Sequence, residues 1–166
     1  MPEQAITPLT GERWTRPEAE GMRSVDWKDG HLLVIDQTLL PQELRLVELR
    51  TVDDVIDAIK RLVVRGAPAI GVAGALGVAL ASVRAQAARI RAARPTAVNL
   101  AWAVDRVCAL ADRGAAAVEA EAVAMIEEDI RTNESLGRRG ADVVLELVAR
   151  RPVRVQTHCN AGGLAC

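Results

Sequence analysis

The sequence predicts an α+β fold: a small antiparallel β-meander and a helical bundle over residues 23–150, then the first strand and loop of an α/β domain over 151–166. Three observations predict it. From Gly66 to Val83 the chain is uncharged and built almost wholly of Ala, Gly, Val, Leu and Ile, as in a helix buried on all sides. Ahead of that run, two apolar segments flank Lys28-Asp29-Gly30, a hairpin signal. Near the C-terminus, Val153–Gln156 leads into the Gly-rich stretch Thr157–Gly163 and then Leu164-Ala165-Cys166. Strand, glycine loop and helix start in that order open a βαβ unit.

Composition narrows the function classes. The 166 residues are 50% hydrophobic and 26% charged with a net charge of −1, enough for one sizeable core. Near-neutral charge gives no general reason to expect nucleic acid or an anionic membrane as a partner. Only three aromatic residues, all Trp, are present, which argues against stacking of single-stranded nucleic acid. Cys108, Cys159 and Cys166 form no even-numbered disulfide framework and no Cys-x-x-Cys zinc pair. The first 21 residues lack the apolar core of a signal peptide. A reduced, cytoplasmic protein with no bound metal is expected.

Residues 1–22 carry Pro2, Pro8 and Pro17 without periodicity and read as a flexible lead-in. Ser24–Trp27, the Lys28–Gly30 turn and His31–Asp36 read as a hairpin, with His31 on its surface; a turn at Leu39–Glu43 leads to a third strand, Leu44–Leu49. Thr51 is placed to cap a helix over 52–63, with acids in its first turn and Val55, Ile56, Ile59, Leu62 and Val63 at helical spacing.

The central helix follows, opening at Pro68 and extending past Val83 towards Arg94. Gly71, Gly74 and Gly77 each cost roughly 1 kcal/mol of helix propensity relative to Ala. Three such penalties imply that something packs close to its backbone. The run approaches the ~18 apolar residues of a membrane span, but Gly and Ala dilute it and Arg84 follows at once. Arg84, Arg89 and Arg91 read as a solvated helix end. Pro95 pushes Arg94 out of helical conformation, and a helix over Ala97–Ala111 follows, with Cys108 as a small buried residue. Ala115–Asn133 is strongly helix-forming, and its Glu127-Glu128-Asp129 run reads as a solvated face rather than a metal site. Gly137 and Gly140 are expected to break it before a short helix over Asp142–Arg150.

Two places can carry chemistry. Arg65 stands on a Gly-Ala-Pro turn at the start of the central helix, where backbone N–H groups and a guanidinium attract an anion. The Gly-Lys-Ser/Thr of a nucleotide P-loop is absent, and a plain buried helix is the competing reading. Cys159 sits where strand gives way to helix, a position that stabilises a thiolate; a buried structural cysteine is the alternative. His158 is its neighbour in sequence, so a Cys–His dyad does not follow.

Four separated segments resemble the S-methyl-5-thioribose-1-phosphate isomerase family, whose superfamily includes regulatory subunits of the translation-initiation guanine-nucleotide exchange factor. They are Val25–Gly30 with Leu33–Gln37; Val64–Gly71 (VRGAPAIG); Arg94–Leu100 (RPTAVNL); and Thr157–Ala165 (THCNAGGLA). The resemblance implies an aldose–ketose isomerase of methionine salvage that uses no cofactor. It implies that Arg65, Gly66 and Ala67 contact the substrate, that Arg94 holds its phosphate, and that Cys159 is catalytic. It also implies a homodimer with a Rossmann-like second domain, begun here at residue 151. The family's catalytic Asp lies in that second half, and no Asp follows Asp142. The expectation is therefore an N-terminal half, inactive alone. A non-catalytic sugar-phosphate-sensing subunit and a ribose-1,5-bisphosphate isomerase are the competing readings.

Overall fold

The computed structural model describes residues 23–81, 84–150, 152–156 and 158. The expected lead-in over 1–22 and the loop with Cys159 lie outside them. Three antiparallel strands in the order β1-β2-β3 form the meander: β1 Val25–Lys28, β2 His31–Ile35 and β3 Leu46–Leu49. Lys28 pairs with His31, so Asp29 and Gly30 make a two-residue turn, both at positive φ (51° and 79°). That left-handed pair is the type I′ geometry that an Asp-Gly sequence favours. Leu32 and Val34 point into the core. His31, expected at the surface, is buried: it opens the middle strand, and its Nε2 lies 3.6 Å from the Glu48 carboxylate on β3. β3 begins two residues later than expected, at Leu46.

Helix α1, Val52–Lys60, starts as its sequence predicts. The Thr51 hydroxyl accepts from the Asp54 N–H at 3.1 Å, and the Asp54 carboxylate accepts from the Thr51 N–H at 2.9 Å, a closed capping box. These Thr51 contacts hold the Asp54 carboxyl below its ordinary 3.8. Its stabilising contribution is thus present above that value and lost as pH falls through the lower, folded one. Thr51→Ala is expected to cost about 1 kcal/mol at neutral pH, with the difference shrinking in acid; urea unfolding at two pH values measures it. The helix ends sooner than the expected residue 63. Leu62 takes φ +65°, and the Val63 N–H donates to the Ala58 carbonyl at 2.9 Å, the Schellman closure that satisfies the last carbonyls.

Helix α2, Ala67–Ala81, is the buried centre, with every residue from Ala69 to Val78 out of solvent. Its glycines are where other elements press closest. A Cβ on Gly71 would lie 3.0 Å from the Asn99 carbonyl oxygen, on Gly74 2.3 Å from Leu100 Cδ1, and on Gly77 3.0 Å from Val55 Cγ1. Helix α3, Arg84–Arg91, is not a straight extension of α2. Ile90 touches the sites of Gly74 and Gly77, whereas residues thirteen apart in one helix stand ~20 Å apart. The chain therefore reverses, because Ile90 gains burial against α2 that a continued helix would leave in water. Arg89 pairs with Asp53, and Arg91 with Asp105 at 3.0 Å.

Helix α4, Val98–Cys108, packs along α2, and a 3-10 turn at Ala111–Arg113 leads into α5, Ala115–Leu147. Cys108 is half-buried at the core's edge rather than within it. The expected break at Gly137 and Gly140 does not occur: α5 is one helix of 33 residues. Propagation needs only one more hydrogen bond per residue once a helix is nucleated, so two isolated glycines weaken it without ending it. Residues 153–156 form no strand, and Val155 is exposed; a lone strand has no ladder partner among the described residues. No described helix is long and apolar enough to cross a membrane.

Candidate functional site

Arg65 stands on the six-residue link between α1 and α2. The link is anchored by its neighbours. Val63 and Val64 are buried, and the Val63 carbonyl accepts from the Gln37 N–H of the meander at 3.1 Å. Gly66 takes φ +91°, a left-handed conformation in which any side chain would be strained. Its carbonyl accepts from the Ile70 N–H at 2.9 Å, starting α2. Arg65 and Ala67 are exposed, Gly66 half-buried. A tethered backbone thus presents a guanidinium to solvent at a helix start.

Arg94 is built similarly. The turn after α3 is pinned by Ala93, buried with its N–H on the Ile90 carbonyl at 2.9 Å, and by the Ala97 N–H on the Arg94 carbonyl at 3.0 Å. Helix α4 then begins without a side-chain cap, leaving its first N–H groups open to an acceptor. Arg94 is half-buried. Gly71 in α2 meets Asn99 in the first turn of α4, so the two arginine turns lead into helix starts that touch. Among the described residues, neither guanidinium has a hydrogen-bond or ion-pair partner, although most other arginines of the bundle are paired. Cys159, the third expected site residue, lies outside the described residues.

Beside these helix starts lies a cavity of about 350 Å³ that sequence reasoning missed, between α2, α4 and α5. Pro68, Val72, Trp102 and Met125 line it, with Asn99 and Asp129 among its polar groups. Arg106 spans its wall. Its guanidinium donates to Glu121 and Glu128, each at 2.7 Å, and lies 5.5 Å from the Trp102 ring centre. The only signal in the sequence is that Glu121 and Glu128 are seven apart, on one face of a helix. The Glu127–Asp129 run divides in three: Glu127 pairs with Arg23 at 2.6 Å, Glu128 with Arg106, and Asp129 turns inward, half-buried.

Arg106 holds the Glu128 carboxyl below the usual range. Burial pushes Asp129 the other way, above its ordinary 3.8, against the pull of the Asn133 amide. The folded chain therefore binds the Asp129 proton more tightly than the unfolded chain does. Its contribution to stability is complete below 3.8 and falls as pH rises through the raised value. Asp129→Asn, which cannot ionise, is expected to raise the thermal midpoint at neutral pH and to leave it unchanged near pH 3, as calorimetry would register.

The family model of the initiation factor 2 subunit family matches residues 63–165, from the link before Arg65 through the Gly-rich stretch near the C-terminus. The chain belongs to the initiation factor 2 subunit family. Within that family several of its relatives carry isomerase names. A probable bifunctional methylthioribose-1-phosphate isomerase/methylthioribulose-1-phosphate dehydratase of Nocardia farcinica is 53% identical over 155 residues, covering 86% of this chain and 28% of the relative. A putative methylthioribose-1-phosphate isomerase of Methanothermobacter thermautotrophicus is 48% identical over 150 residues, covering 87% of this chain and 45% of the relative. The crystal structure of 5-methylthioribose 1-phosphate isomerase from Pyrococcus horikoshii superposes with a TM-score of 0.68 at 34% identity, over 73% of this chain and 40% of that one. This member of the initiation factor 2 subunit family thus spans less than half the length of these relatives, and the part it matches is their N-terminal part.

Proposed function

We propose that this chain is the substrate-arginine half of an aldose–ketose isomerase that converts S-methyl-5-thio-α-D-ribose 1-phosphate to S-methyl-5-thio-D-ribulose 1-phosphate, working as a homodimer in the cytoplasm. The observation that carries it is the pair of arginines, Arg65 and Arg94, without a partner among the described residues and on anchored turns before two helix starts that touch. Two guanidiniums and the free N–H groups of helix starts suit the charge of a phosphate dianion. The names of the relatives supply the sugar.

The chemistry divides between residues in the region matched here and residues that the relatives carry beyond it. An anomeric phosphate keeps the sugar ring closed, so the reaction needs a proton on the ring oxygen before hydrogen moves from C2 to C1. Arg65 and Arg94 fix the phosphate and so set where C1 and C2 lie. By the family resemblance, Cys159 is the catalytic group at those carbons, and an Asp in the second half of the relatives is its partner.

The test is an NMR titration of the 166-residue chain with methylthioribose 1-phosphate, following the arginine side-chain N–H signals. Shifts at Arg65 and Arg94 are expected, weaker with inorganic phosphate, and no turnover until a C-terminal half is supplied. If neither arginine responds, the reading is wrong. A regulatory, non-catalytic subunit is the second reading, favoured by the family's description as initiation factor subunits. It predicts binding at the same arginines and no turnover even in a completed chain.

A further inference from the structure

The cavity between α2, α4 and α5 differs in charge from the arginine turns that it adjoins. Its volume of about 350 Å³ is that of a small-molecule pocket. Pro68 and Asn99, in the first turns of α2 and α4, belong to its lining. Arg65 lies three residues before the one and Arg94 five residues before the other. One helical turn rises ~5.4 Å, so the cavity opens about one turn along from both arginine turns.

Its lining is of two kinds. Val72 and Met125 are buried and apolar, and Trp102, 54% exposed, adds an aromatic surface. The charged lining among the described residues is Arg106, Glu128 and Asp129. Arg106 donates to Glu121 as well as to Glu128, so its single charge is already outweighed. No described cation acts on Asp129: burial pushes its carboxyl up, the Asn133 amide pulls against that, and the like charge of Glu128 adds to the rise. A phosphate entering such a cavity meets like charge where water screens it less than in bulk. A neutral apolar group instead leaves water for Val72, Met125 and Trp102, and a thioether sulfur is favoured against an aromatic ring.

We infer that the cavity takes the methylthio end of the sugar phosphate, and that Glu128 and Asp129 are the residues that exclude a second phosphate from it. The inference rests on the isomerase reading. It gives the two ends of a pentose opposite surroundings. Cationic turns face the phosphate on C1, and an apolar, anionic cavity receives the group on C5. Methylthioribose 1-phosphate has that polarity. Ribose 1,5-bisphosphate, with a phosphate at each end, does not, and the lining discriminates by repelling it as much as by holding the thioether.

NMR titration of the 166-residue chain tests it, with the Met125 methyl and the Trp102 indole N–H reporting on the cavity and the arginine N–H groups on the phosphate. Methylthioribose 1-phosphate should shift both sets of signals, and inorganic phosphate the arginine signals alone. Ribose 1,5-bisphosphate should bind about a hundredfold more weakly than methylthioribose 1-phosphate. Asp129→Asn and Glu128→Gln should each cut that discrimination about tenfold, by tightening the bisphosphate. Thr132→Trp, at an exposed position of the lining, should weaken methylthioribose 1-phosphate about tenfold and leave inorganic phosphate unchanged. Thermal midpoints near the native one would show that each variant is folded. Arginine shifts with Met125 and Trp102 unmoved would overturn the inference and leave the isomerase reading standing. Equal affinity for the two sugars in the native chain would do the same, as would discrimination unaltered by both charge removals. Silent arginines would sink the isomerase reading and this subsite with it.

Discussion

Replacing Leu100 with alanine is expected to destabilise the fold by about 3–4 kcal/mol, towards the upper part of the range for a fully buried leucine. Leu100 is wholly inaccessible, and its Cδ1 occupies the space that a side chain on residue 74 would need. Removing it opens a cavity between α2 and α4, the two helices whose starts carry Arg65 and Arg94. The pair also makes a coupled prediction. Gly74→Ala in the native background drives a Cβ to within 2.3 Å of Leu100, and overpacking of this kind costs about 1–3 kcal/mol. In the Leu100→Ala background the same Cβ enters vacated space and gains roughly 1 kcal/mol of helix propensity. The sign of the Gly74→Ala effect should therefore reverse between the two backgrounds. A double-mutant cycle by urea unfolding reads this directly, and additive effects would show that the two helices do not meet as described.

On the proposed isomerase reading, Arg65→Ala and Arg94→Ala are each expected to lower kcat/KM for methylthioribose 1-phosphate by about a hundredfold to a thousandfold, assayed in a protein that carries both halves of the family fold. That corresponds to roughly 3–4 kcal/mol of lost transition-state stabilisation. Each guanidinium can offer a phosphate two parallel charge-assisted hydrogen bonds. Arg→Lys keeps the charge and loses the fork, so it should recover only part of the loss. Stability separates this from a structural effect. Neither guanidinium has a partner among the described residues, so neither substitution should shift the thermal midpoint beyond the small change usual for surface positions. By contrast, Arg106→Ala removes the shared partner of Glu121 and Glu128 and the cation over Trp102, and should move the midpoint.

Much of the N-terminal region was legible because its rules are local. The Asp29-Gly30 turn, the Thr51 capping box and the glycine-rich central helix each follow from residues within a few positions of one another. The three glycines of α2 even foretold close packing, since only an approaching backbone or side chain repays their cost. Arg65 and Arg94 were legible as turn residues ahead of helices, and the structure adds that those helix starts meet through Gly71 and Asn99. That the meeting point serves as a phosphate site is the proposal to be tested.

The sequence by itself determined the type and order of the main elements up to α4: a meander, a capped helix, a wholly apolar helix, and a helix entered through Arg94-Pro95. Tertiary structure alone decided the rest. Whether α3 continued α2 or folded back turned on the burial of Ile90 against Gly74 and Gly77, a contact between residues far apart along any single helix. Whether His31 faced water turned on which strand became the middle of the sheet. The cavity beside Pro68 is walled by three helices that only the tertiary fold brings together, with Arg106 reaching across to two glutamates on α5. Local propensity is a sum of small terms, each near 1 kcal/mol or less, and burial of a single large side chain outweighs several of them. Where a distant surface decides which residues are buried, the local sequence holds only half of the interaction.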